Sequence, residues 1–289
     1  MTILGERSYS GPNVNRLRTF FYKLGDKLKS NNKYHSNKTP SRNLIVTTLI
    51  AWVLCTSSDV PFKEAQMQYP KVRQAYQEKE STVNTILSGQ NIDTRDLNLY
   101  FRAFKSEKIL ELWGKSKTDT TFSLLIEYNI CNTSGTLGPK RREYDLQIPE
   151  GFYHIAEFNP LSRFHLSLKI DYPNKSDRIL GDKENPGSDI FIHGGCATTG
   201  CLPITDEYIK EVYIFALEAR NNGQKHIPIC IFPAKLSDEV YGRLKDAYGS
   251  DNEKLGLWED LKKAYDLFNL NHTIPRVRYL SSGRHEVMS

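Results

Sequence analysis

From Lys108 to Gly194 the chain runs through a series of short apolar segments: KILELWG, TFSLLIEYNIC, LQIPEGFYHIAEF, FHLSLKIDYP and DIFIHG. Turn residues separate them, and each is rich in β-branched and aromatic side chains with partial alternation, which predicts strands. Helical patterns lie on both sides. In SDVPFKEAQMQYPKVRQAYQEKESTVNTILSGQ the apolar residues Val72, Ala75, Tyr76, Val83 and Ile86 are spaced through a polar sequence, and Gly89 is a plausible stop. A second short helix is predicted over TRDLNLYFRAF, where Leu97, Leu99, Tyr100 and Phe104 recur at roughly helical spacing, so residues 56–105 read as a helical N-terminal segment. After the strands, TDEYIKEVYIFALEARNNG predicts a helix, with Asp206 and Glu207 at its positive end and Arg220 at the other. IPICIFP reads as a buried strand, the stretch that follows as two helices, and residues 281–289 as a frayed tail. The fold class is α+β, a strand-rich centre with helices before, within and after it.

The formal net charge of +5 is unevenly placed. Residues 1–43 hold nine Lys or Arg and two Asp or Glu, a local +7, which leaves −2 for all the rest. A basic tail is not the clustered patch that nucleic acid requires, and no nucleic-acid motif is present. The tail leads into RNLIVTTLIAWVLCTSSD, whose apolar core from Leu44 to Cys55 is 12 residues long. That is short of the roughly 20 residues a transmembrane helix needs. A basic lead, a short apolar core and a polar exit predict an export signal or short anchor over residues 1–55, against the alternative of a buried strand. Bulky Leu54 before Cys55 argues against a lipid-modified cysteine.

Past Cys55 there are four cysteines, Cys131, Cys196, Cys201 and Cys230, and none has zinc-site spacing, so no metal and no cofactor is expected. The stretch FIHGGCATTGCLPITDE, residues 191–207, ends a strand on His193 and sets Cys201 at a glycine turn just before a helix. A nucleophilic thiol needs a base, a lowered pKa and donors for the oxyanion. His193 can fold back toward Cys201, and the helix that begins near Thr205 favours thiolate. Gly194, Thr199 and Gly200 shape the turn, and the N–H groups of Gly200 and Cys201 can face an acyl oxygen. The competing reading makes His193 a strand cap and Cys201 a small buried hydrophobe.

The stretch resembles the signature of the L,D-transpeptidase (YkuD-type) catalytic domain, HG followed by a loop and [ST]-H-G-C. His193-Gly194 match the first element, and Thr198-Thr199-Gly200-Cys201 occupy the second. The likeness is to the YafK-type branch, with its shortened loop. It extends to SGTLGPKRREYDLQIPEGFYHI (134–155), which looks like that branch's substrate-side hairpin, to IDYPN (170–174) and to LWEDLKKAYDLF (257–268). Two positions depart from the family pattern: Thr199 stands where a histidine is usual, and Pro203 where an arginine is common.

The resemblance implies a β-sandwich-like catalytic domain over residues 106–280 and chemistry on peptidoglycan peptides. Cys201 would be the nucleophile and His193 the proton donor and acceptor, with a thioester acyl-enzyme resolved by an amine or by water. In the YafK-type branch it also admits an amidase that cuts a protein from its link to the wall. Without an arginine at 203, a substrate carboxylate would fall to Lys140, Arg141, Arg142 or Arg163, with Tyr172 of IDYPN beside them. Water is the expected acceptor. The loop from His193 to Cys201 is too short for a lid, and the glycine-rich, charged 134–144 hairpin would be mobile and wet. Cys131 and Cys196 are candidates for a disulfide in an exported protein, or else two reduced cysteines; Cys230 reads as core. A papain-like protease is a rival enzyme, but there the cysteine precedes the histidine. A non-catalytic wall-binding module is the rival of another class.

Overall fold

The computed structural model describes residues 61–289; the export signal or anchor expected over residues 1–55 lies outside the described residues. In chain order the elements are α1 (Phe62–Met67), α2 (Pro70–Gly89), a 3-10 turn (Thr94–Asp96), β1 (Leu97–Phe104), β2 (Ile109–Ser116), β3 (Ser123–Asn129), β4 (Gly151–Asn159), β5 (Ser167–Ile170), α3 (Lys175–Leu180), β6 (Phe191–His193), β7 (Leu202–Pro203), α4 (Thr205–Asn221), β8 (Ile227–Phe232), α5 (Asp238–Tyr248), α6 (Asn252–Asn271), β9 (Arg276–Tyr279) and β10 (His285–Met288). Eight strands form one mixed sheet in the order β3-β2-β1-β8-β4-β5-β6-β7, and β9 and β10 form a separate pair. The fold is α+β.

Both faces of this sheet are covered. On β1, Leu97, Leu99, Phe101 and Ala103 join a core with α2 and α4, while Tyr100 and Phe104 join a second core with Trp258, Leu261 and Phe268 of α6. On β8, Ile227, Ile229 and Ile231 face the first core, and Cys230 and Phe232 the second. This double burial explains the departure from expectation at β1. The segment LNLYFRAF is a strand, not the second short helix expected there: a strand apolar on both faces loses its alternation. The helical segment therefore ends at Gly89, and residues 97–104 pair with both β2 and β8 inside the sheet.

Two further expectations change. Residues 281–289 are not frayed, because β10 pairs with β9 and is anchored to α6: Asp260 accepts from the Arg284 guanidinium at 2.6 and 2.9 Å and from the His285 backbone N–H at 2.9 Å. Nor does the 134–155 stretch form a hairpin; it has no strand before Gly151. It is a tied loop. The buried Lys105 ammonium donates to the carbonyls of Thr136, Gly138 and Ile148 at 2.9–3.0 Å. Glu150 pairs with Lys105 at 2.8 Å and accepts from the Gly138 N–H and the Trp258 indole. With those bonds made, the loop is not the mobile, wet cover that its glycines and charges suggested.

Candidate active site

The site lies at the β5-β6-β7 end of the sheet. Strand β6 pairs antiparallel with β5 and parallel with β7, with Ile192 opposite Leu202 and His193 opposite Pro203. Ile192 and Leu202 are fully buried in the core. The two-residue period then turns Phe191 and His193, and on the neighbouring strand Cys201, to the other face. The turn between them needs glycine at two places. A Cβ on Gly194 would lie 2.4 Å from an Asp206 carboxylate oxygen and 2.7 Å from the Phe164 carbonyl; Gly200 has φ +131° and would meet the Gln147 carbonyl at 2.8 Å. Asp206, in the first turn of α4, accepts the Gly195 N–H at 2.8 Å. A disulfide between Cys131 and Cys196 ties the same loop to the end of β3, 65 residues away in sequence.

His193 is only 2% exposed. Its Nδ1 donates to the carbonyl of Gly194, and a carbonyl can only accept, so Nδ1 carries the proton and Nε2 is left with its lone pair. The Phe164 ring lies against the imidazole, centroids 4.6 Å apart and planes at 30°. Burial pushes the His193 pKa below its ordinary value, and the Gly194 carbonyl only partly opposes this. Burial likewise pushes the Cys201 thiol up; a backbone bond at Phe191 and the Lys140 charge pull the other way, while Asp189 adds to the rise. The thiol lies 3.6 Å from the Asp189 carbonyl, toward which an S–H can point. This departs from the expectation of a lowered thiol pKa: desolvation is the largest influence on the group. At neutral pH the two groups rest as thiol and imidazole, not as an ion pair.

Comparison with known proteins gives the family. Over 191 residues, 65% of this chain and 73% of the relative, the sequence is 35% identical to the protein named "Putative L,D-transpeptidase YafK" from Escherichia coli strain K12, and equally to that from strain O157:H7. The chain belongs to the L,D-transpeptidase family, in its YafK-type branch. No family model matches it. Two solved structures are similar: the helical cell shape determining protein Pgp2 from Campylobacter jejuni (17% identity, 69% of this chain and 80% of that one, TM-score 0.39) and Bd1075 from Bdellovibrio bacteriovorus (18%, 62% and 76%, TM-score 0.36).

In this member of the L,D-transpeptidase family, His193 and Cys201 line one cavity of about 260 Å³, together with Arg163, Phe164, Ser162 and Asp189. Cys201 and Thr199 also line a second cavity of about 450 Å³, with Lys140, Tyr144 and Leu146. The candidate cations differ in availability. Lys140 is buried and its ammonium is held by Asp145, at 2.5 Å, and by the Arg142 carbonyl, at 2.9 Å. Arg141 is paired with Asp177 and Glu253. Arg142 is exposed but lines neither cavity, and buried Tyr172, which donates to the Pro186 carbonyl at 2.8 Å, lines neither as well. Arg163 is exposed, lines the cavity of the pair and has no ion-pair partner among the described residues. Pro203, where the family commonly has arginine, sits buried in β7.

The turn donors are not free. Both the Gly200 and Cys201 N–H groups donate to the Thr198 hydroxyl, at 3.2 and 2.9 Å, and that hydroxyl donates to the Cys201 carbonyl at 2.8 Å. An acyl oxygen that takes those donors must displace Thr198. Sequence reasoning missed this role of Thr198, and also the stacking of Phe164 and the anchoring by Asp206. Only Asp206 had a signal, its place in the first helical turn. Among the described residues no cluster of three or more His, Cys, Asp or Glu could hold a metal, and no helix is long and apolar enough to cross a membrane.

Proposed function

We propose that the protein is a cysteine-dependent acyl transferase on peptidoglycan peptides, exported to the cell envelope, in which water is the main acceptor. The observation that carries this is the shared cavity: an accessible thiol and an imidazole whose free nitrogen can accept a proton open onto the same space. Cys201 attacks a peptide carbonyl at a diaminopimelate-type centre. His193 Nε2 takes the thiol proton as the S–C bond forms, and returns it to the amine that leaves. A thioester remains. Water, deprotonated by the same nitrogen, then splits it to the free acid and the thiol.

Two observations favour a hydrolase or amidase over a cross-linking transpeptidase. The seven residues between His193 and Cys201 are tied down by the disulfide and by Asp206, so they do not fold over the thiol. Two cavities reach Cys201, and a transpeptidase must keep water from the acyl-cysteine. The exposed apolar residues Tyr144 and Leu146 rim one cavity, and Phe164 rims the other. Such rims suit a polypeptide leaving group, a wall-linked protein. The test is incubation with a diaminopimelate-containing wall peptide and an excess of amine acceptor. Free acids should outnumber amide products; an excess of cross-linked products would establish the transpeptidase reading, and no product at all would leave a wall-binding module.

A further inference from the structure

We propose that helix α2 is a working part of the pocket wall, and that Lys71 is a positioning residue for Arg163 and Phe164. The inference rests on the proposed function for its substrate but not for its geometry. Residues 160–166, between β4 and β5, form a turn without regular structure. This turn supplies Ser162, Arg163 and Phe164 to the cavity of His193 and Cys201. It also touches the His193 strand directly: Phe164 stacks on the imidazole, and the Phe164 and Leu166 carbonyls accept the Gly194 N–H at 3.1 and 3.3 Å. Any shift of the turn therefore moves the cation of the pocket and the wall of the base together.

The turn needs a hold from outside. His165 sits in the left-handed region at φ +65°, uncommon for a residue with a Cβ, and its Nε2 is buried without a hydrogen-bond partner. Within the turn, the Phe164 N–H donates to the Ser162 hydroxyl and the Leu161 N–H to Asn159, both at 3.1 Å. From outside, the Lys71 ammonium donates to the Ser162 carbonyl at 2.7 Å, across 91 residues of sequence. Lys71 is itself well placed to act as a strut. Its neighbour Val72 is fully buried with Ala75, Tyr76, Val83 and Leu87 against α4. Ion pairs of Lys79 with Glu211 and of Lys210 with Glu78 close the same seam. Helix α1 supports the adjoining strand end: Phe62 packs edge-on against Phe158, centroids 5.1 Å apart, beside the cavity residue Asn159. Both N-terminal helices thus bear on the segment that walls the pocket.

The experiment compares Lys71→Met, which keeps the stem and loses the charge, with Lys71→Arg, which keeps a donor. With the wall peptide, Lys71→Met should raise KM about tenfold, the worth of one charged hydrogen bond, and change kcat less, while Lys71→Arg should restore KM. A second readout needs no turnover. Arg163, in the same cavity as the thiol, should favour anionic iodoacetate over neutral iodoacetamide in alkylating Cys201. The ratio of the two rates should drop in Lys71→Met to the value found for Arg163→Gln, with an unchanged melting temperature, and recover in Lys71→Arg. A ratio in Lys71→Met equal to that of the unaltered protein overturns the proposal, as does a loss that appears only with a fall in melting temperature. If the unaltered protein turns over no wall peptide, the proposed function fails, and the alkylation ratio still decides the role of Lys71.

Discussion

His193 and Cys201 are neutral neighbours at rest, and this sets what their titrations should look like. The thiol should alkylate with a midpoint above the ordinary 9.0, because burial opposes the thiolate. In that pH range the imidazole is uncharged whether free or buried, so His193→Ala should leave the midpoint nearly in place while lowering turnover on the order of 10²-fold, the typical worth of a general base. Iodoacetamide kinetics against pH check both; a midpoint near neutrality that rises in His193→Ala would mean a thiolate–imidazolium pair instead. Turnover itself requires unprotonated His193. Its pKa is depressed below 6.5, so kcat/KM should be full at neutral pH and decline only as pH falls through a value below 6.5. An acid limb at or above 6.5 would place the base elsewhere. Both candidates were marked in the sequence by the resemblance of HG…GC to the family signature rather than by spacing alone. Their protonation was not, because desolvation depends on Phe164 and on the 160–166 turn, which pack against them only in the folded chain.

At the scale of elements, two ties carry distinct predictions. The Cys131–Cys196 disulfide closes a long loop, and its loss in a Cys131→Ser/Cys196→Ser variant should lower stability by ~2–4 kcal/mol, read by denaturant unfolding. An unchanged midpoint would show that the bond contributes nothing to the fold. Asp260 anchors the β9-β10 pair. Burial alone would raise its pKa, but the bonds from His285 and Arg284 outweigh this and hold it at about 2. The sign follows: a depressed carboxyl stabilises above its unfolded value of 3.8, and that stability is lost as pH falls from there to about 2. Asp260→Asn should remove this acid-sensitive part and cost roughly 2 kcal/mol at neutral pH, less than a fully buried pair because Arg284 is partly in water. Thermal melts at pH 7 and pH 3 measure both, and an equal loss at the two pH values would contradict the assignment. Helices α2, α4, α5 and α6 and strands β2 to β6 were readable from periodicity. Strand β1 was not, since Leu99 and Phe101 face one core while Tyr100 and Phe104 face the other. The 134–150 loop was misjudged because its order comes from Lys105 and Glu150, outside the glycine-rich stretch.

For the whole molecule, the described chain is built on one eight-stranded sheet with a core on each face, and the candidate site lies at its β5-β6-β7 end, tied to the end of β3 by the Cys131–Cys196 disulfide. The N-terminal helices, whose purpose composition left open, cover α4 and reach the pocket turn through Lys71. The sequence marked Arg163 as one of several cations; the fold separates it from Lys140 and Arg141, which carboxylates already hold. The central claim is that Cys201 carries the acyl group. It is tested most directly by intact-mass spectrometry of the protein mixed with a diaminopimelate-containing wall peptide and quenched in acid within the first turnovers. The account predicts a mass increase equal to the peptide less its leaving amine, located on Cys201, released by hydroxylamine and absent from Cys201→Ala. Product formation by Cys201→Ala within about tenfold of the unaltered protein would contradict it.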